Sequence, residues 1–119
     1  TAPQIARAIA LRQDWLTALE ALFAQYDALL APSTQIWPFP ADWDWPTDIG
    51  GRNMDTYHRW MECVIPASLA GLPALALPAG YGATGLPHGL QLKGPAGGDH
   101  KILSMGLAWE AMIGPRVPR

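Results

Sequence analysis

Apolar positions along the chain change their rhythm several times, and each rhythm predicts an element. Ile5, Ile9, Leu16, Leu19, Phe23 and Tyr26 recur at three- and four-residue spacings, with Arg7, Asp14 and Gln25 off the stripe. This predicts an amphipathic helix over 4–26, with Pro3 in the first turn, where a missing N–H costs nothing. Residues 28–31 then form a short continuous apolar run stopped by Pro32, the pattern of a strand covered on both faces. From 33 to 52 no period survives among the prolines and turn residues, which predicts a long loop. Helical spacing returns over 53–65, with Met54, Tyr57, Met61 and Val64 or Ile65 on one face. Asn53 or Asp55 would cap this helix and Pro66 would end it.

The segments "ALALP" (74–78) and "GLQLKG" (89–94) read as two more buried strands. The turn-rich "GYGATGLPHG" between them predicts a hairpin. Asp99 is placed to cap a closing helix over 100–113, terminated by Gly114 and Pro115. A helix running straight into a buried strand is an α/β signal. Three covered strands with only three helices would leave sheet edges bare, so the chain reads as part of a larger sheet.

Composition sharpens that picture. Hydrophobic residues make up 50% of the 119 positions and charged residues only 15%, against about 25% charged in a typical soluble domain. A chain of this length is one domain's worth, and it has too little charge to cover its own surface. One or more faces should therefore be buried against further polypeptide. The opening Thr1 reads as a cut end without a signal peptide. A net charge of −2 without any basic run argues against nucleic-acid binding. Cys63 is the only cysteine, so no internal disulfide forms, which fits a cytoplasmic protein. No apolar run approaches the length of a membrane span.

The residues offer few sites by themselves. His58, His88 and His100 share no metal-ligand spacing, and His88 in a turn and His100 at a helix start read as solvent-exposed structural residues. Ser33, Ser68 and Ser104 lack a glycine-flanked elbow and read as caps, turns or packing residues. Asp42, Asp44 and Asp48 lack the ligand set of a calcium loop. Cys63, on an apolar helix face, reads as a small buried hydrophobe. Trp37, Trp43 and Trp45 are different, because rings in a loop must pack on a neighbour or line a pocket.

The order of these features, above all "LAGLPALALPAGY…GLPHGLQLKGP" with Gly71, Pro73, Pro78, Gly80, Gly85, Pro87, Gly89, Gln91 and Gly94, resembles the amidase signature family. "YDALLAPS" and the closing "AWE" add to the resemblance, which runs from about Ile5 to Glu110. It implies an α/β fold: a fragment of the family's α/β sandwich, a mixed sheet covered by helices and incomplete on its own. Residues 1–119 would be the C-terminal segment of a single domain. The family's catalytic Ser–cis-Ser–Lys triad lies in an upstream Gly/Ser-rich segment. No Gly-Gly-Ser-Ser run exists here, and Lys93 and Lys101 are the only lysines, so no catalytic residue is assigned.

The implied activity of the whole protein is hydrolysis of a carboxylic amide to an acid and ammonia or an amine, with no metal or organic cofactor. This chain alone should be inactive. The implied partners are the missing N-terminal part of the same protein and a small-molecule amide, with a homodimer left open. Met54, Tyr57 and Met61 fall on the helix that lies beside the family's substrate channel, and join Trp37, Trp43 and Trp45 as substrate-binding candidates. Ser68 stands where many members carry Asn, and the Trp loop at 37–45 is not a family constant. Two other readings stand beside this one. The first is a binding module whose Trp loop grips a sugar or peptide. The second is an amidotransferase A-type subunit, which the missing basic character disfavours.

Overall fold

A computed structural model describes residues 1–114. The first helix, α1 (Ala2–Phe23), starts earlier and stops sooner than its stripe suggested. Gln4 Oε1 accepts hydrogen bonds from both the amino group and the hydroxyl of Thr1, which fixes the first turn. Tyr26 falls in the turn that follows. Strand β1 (Leu29–Pro32) comes next. The long loop contains one small ribbon, β2 (Asp48–Ile49) paired with β3 (Arg52–Asn53). After a single 3-10 turn (Arg59–Met61) come α2 (Ile65–Ala70), β4 (Ala74–Tyr81), β5 (Pro87–Lys93) and α3 (Asp99–Ile113).

The helix expected over 53–65 does not form. Arg59, Met61, Glu62 and Val64 each donate to a carbonyl three residues back, so the i+3 part of the spacing is met by tight turns. Pro66 begins a helix instead of ending one, since it stands in the first turn of α2. That helix ends at Gly71 in the left-handed conformation (φ 65°), which a residue with a Cβ adopts at a cost. Asp99 is likewise the first residue of α3 and not its cap; Gly98 holds that position. The carboxylate still favours the helix dipole. Gly114 closes α3, and Pro115 lies outside the described residues.

Strands β1, β5 and β4 form one antiparallel sheet in that order, with β5 in the centre. The hairpin β4–β5 pairs Ala74 with Lys93 and Pro78 with Gly89, then shifts register at Gly80. Helix α3 covers one face. Ile102 meets Leu77 and Leu92, Met105 and Trp109 pack against them, and the Trp109 indole donates to Pro78 O at 2.9 Å. The other face of β4 stays open: Ala74, Ala76 and Pro78 are exposed. Within this chain β4 is thus covered on one face, where the sequence suggested two, while β5 is buried on both, at Leu92 and at Lys93. Helices α1 and α2 are tied to each other: Trp15 Nε1 donates to Pro66 O (3.0 Å) and Arg12 Nε to Leu69 O (2.7 Å).

Much apolar surface has no cover. Ile5, Ile9, Leu30, Leu103 and Leu107 are all exposed, Leu107 at 69%. The chain shows 8389 Å² to solvent, where a self-contained folded protein of 12.9 kDa would show about 6,300 Å². The excess fits the low charge content.

Candidate functional site

Beyond β1 the chain crosses the open end of β5. Ser33 N–H donates to Gly89 O (3.1 Å), extending the β1–β5 ladder by one bond. The Ser33 hydroxyl lies over Gly89, 2.7 Å from where a Cβ would stand, so a side chain there would make the hydroxyl rotate away. Gln35 then reaches across and accepts the Cys63 N–H at 3.1 Å, which ties this loop to the 3-10 segment. Between the two runs a cleft of about 540 Å³ opens.

Its walls are mostly apolar: Ile36, Trp37, Phe39, Trp60, Met61 and Val64, with Pro78 and Pro87 from the hairpin. Ser33, Thr34, Cys63, His88 and the indole nitrogens of Trp37 and Trp60 are its side-chain polar groups, and no Asp, Glu, Lys or Arg lines it. Trp37 stands on the hairpin. Its ring packs on His88 with centroids 4.7 Å apart, and its benzo edge lies against Gly82. Phe39 stacks on Trp43 and meets Trp60 edge-on; Tyr57 meets Trp60 and Trp45 the same way. Each such aromatic pair contributes about 0.5–1.5 kcal/mol beyond its buried area. Linked in series they hold a loop that has almost no backbone ladder of its own.

The six sequence candidates divide. Trp37 and Met61 line the main cleft. Trp43 and Trp45 line a second hollow of about 350 Å³ with Asp44 and Thr47. Half-exposed Tyr57 bridges the two ring sets. Met54 is 2% exposed and lines neither. Its carbonyl accepts the Trp45 indole N–H at 3.2 Å, so it anchors the loop.

Sequence reasoning missed Phe39, Trp60 and His88 as cleft residues. His88 is not a solvent-exposed turn residue; it is half-buried in β5 under Trp37. Trp60 was legible as the residue three beyond Tyr57. Cys63 sits in the turn after the 3-10 segment, not on a helix, and its thiol lines the cleft.

Lys93 lies behind this wall. It is 4% exposed, and its ammonium donates to Cys63 O at 2.9 Å. Burial pushes its pKa below the ordinary lysine value, while Cys63 pulls slightly the other way. Burial also pushes the Cys63 thiol up, against the pull of Lys93. Ser33 Oγ has no hydrogen bond to a basic side chain among the described residues, so this serine has no activating base here. Among the described residues no three His, Cys, Asp or Glu side chains gather as a metal site. None of the helices among them is long and apolar enough to cross a membrane. The cleft can hold a flat apolar group.

This arrangement, an antiparallel sheet under one helix with an apolar cleft at the mouth of its hairpin, is an α/β architecture incomplete on its own. The family model described as Amidase matches residues 2–103, and the chain belongs to that family. It is 34% identical over 91% of its length to the A-type subunit of a glutamyl-tRNA(Gln) amidotransferase from Salinispora tropica, of which it covers 20%. Further curated relatives of similar identity share that name. An indoleacetamide hydrolase of Agrobacterium vitis is 33% identical over 86% of the chain and is covered for 23% of its own length. Among solved structures, a bacterial aryl acylamidase of the amidase signature enzymes superposes with a TM-score of 0.82. It is 26% identical, with 93% of this chain and 23% of that one covered. The chain thus spans about a fifth of the length of the curated relatives it matches.

Proposed function

We propose that the protein carrying this chain cleaves a carboxylic amide, and that this chain supplies an apolar wall of its substrate cleft. The observation that carries the reading is the cleft beside the hairpin within a chain of the amidase family. The bond-breaking groups belong to another part of the same polypeptide, N-terminal to this segment. There a serine attacks the carbonyl, and a neutral lysine acting through a second serine takes the proton. Backbone N–H groups stabilise the oxyanion. The uncovered faces of β4, α1 and α3 pack against that part, which supplies the second cover the sheet lacks. Trp37 and Met61 contact substrate, while Trp43, Trp45, Tyr57 and Met54 hold the wall in place.

A second reading has stronger support from the curated relatives: the A-type subunit of an amidotransferase, releasing ammonia from glutamine for transfer to glutamyl-tRNA. The charge-free cleft favours a free neutral amide, since a glutamine substrate brings two charges that nothing on this wall would meet. The test is ammonia release by the intact protein. Hydrolysis of a neutral amide without partner or RNA supports the main reading, and release only from glutamine in a complex with glutamyl-tRNA supports the second. Hydrolysis by residues 1–119 alone would overturn both, because each puts the nucleophile elsewhere.

A further inference from the structure

The cleft wall is built unevenly, and its unevenness points to a substrate class. One ring, Trp37, is fixed while half exposed (56%). His88 supports it by a tilted ring contact (37° between planes), and Gly82 leaves room for its benzo edge; a Cβ on Gly82 would stand 2.8 Å from Trp37 Cζ3. Gly82 is not a positive-φ glycine, so its backbone does not require glycine. The space for the ring does. A large aromatic side chain held rigid and left uncovered on the wall of a cleft is a ready platform for another ring. Phe39 and Trp60, also in the lining, meet edge to face. The absence of Asp, Glu, Lys and Arg from the lining means that a charged group would lose its hydration without compensation.

We propose that the cleft selects amides bearing a neutral, planar aromatic group, which stacks on the free part of Trp37, and that Gly82 and His88 are positioning residues for that ring. This rests on the amide-hydrolase reading for the reaction, though not for the binding of the ring. About 540 Å³ is enough for a one- or two-ring group together with the atoms linking it to the amide.

The test uses the intact protein and two neutral amides, phenylacetamide and butyramide. Trp37→Ala is expected to weaken both substrates and to raise the ratio of KM for phenylacetamide to KM for butyramide about tenfold. Gly82→Ala, which displaces the ring without altering the pocket's chemistry, should move the same ratio in the same direction, and Trp37→Phe should recover much of the loss. Binding of acetophenone, a flat neutral ketone that cannot be hydrolysed, is measured alongside by calorimetry. If acetophenone binds in a Trp37-dependent manner but no amide is hydrolysed, the aromatic site stands and the hydrolase reading falls. If amides are hydrolysed and both substrates respond alike to Trp37→Ala and Gly82→Ala, the aromatic site is overturned and the hydrolase reading stands. A purified Trp37→Ala protein that has lost its fold, judged by circular dichroism, leaves Gly82→Ala and Trp37→Phe to decide by the same criteria.

Discussion

Adding one methyl group at Gly94 should test how tightly the hairpin and α3 are joined. A Cβ there would stand 2.5 Å from Ile102 Cγ2, about 1 Å inside a comfortable carbon–carbon contact. Ile102 cannot easily yield. It is 4% exposed in the Leu77–Leu92 cluster and branched at Cβ, so its rotamer is stiff. Pro73 Cγ and Gly98 O stand 3.6 Å from the same point and limit movement in other directions.

Two terms compete. Gly94 is not a positive-φ glycine, so alanine suits the backbone and gains about 0.4–1 kcal/mol by restricting the unfolded chain. Overpacking costs about 1–3 kcal/mol. The second term wins, leaving a net loss of about 1–2 kcal/mol, or a fall in Tm of about 1–2 °C for an intact protein about five times this length. Ile102→Leu removes the offending branch and alone should cost less than about 1.5 kcal/mol. In the double variant the two losses should fall short of their sum by about 1 kcal/mol. A Gly94→Ala protein as stable as the parent, or strictly additive losses, would refute the claimed contact.

Two further outcomes can be checked on the same protein. Because burial lowers the pKa of Lys93, the unfolded chain holds its proton longer, and stability should rise with pH from the folded-state pKa up to the ordinary value of 10.5. Cys63, whose thiol is raised above the ordinary 9.0, opposes this trend, so the urea midpoint is followed in Cys63→Ala with and without Lys93→Met; loss of the rise in the Met variant is expected, and an identical pH profile would contradict the burial. Trp15→Phe removes the bond to Pro66 O while keeping the ring, at a cost of about 1 kcal/mol. Amide hydrogen exchange in α1 should then accelerate about fivefold while that of β5 does not change, and equal exchange in both proteins would count against the clamp.

The strands, the hairpin and the outer helices were legible because their signals are local: short apolar runs, turn residues between them and a stripe at helical spacing. The middle was not. Over 53–65 the spacing of Met54, Tyr57 and Met61 reads as a helix, yet those positions are set by ring contacts with Trp45 and Trp60 and by the buried Met54. Such contacts join residues far apart in the loop and leave no period. Pro66 carried an ambiguous mark, since proline both follows and begins helices. In the site, the importance of Trp37 could be suspected from its exposure cost alone. Its support by Gly82 and His88 depends on where the hairpin turn meets the loop, which no local pattern records.

The central claim is that the cleft between 33–39, 60–64 and the hairpin receives the substrate. Photolabelling the intact protein with an aryl amide that carries a diazirine on its ring, followed by mass spectrometry of the peptides, tests it directly. The account predicts label on peptides containing Trp37, Trp60 or His88, diminished by excess phenylacetamide. Label confined to other parts of the protein, or label on these peptides that phenylacetamide does not diminish, would contradict it.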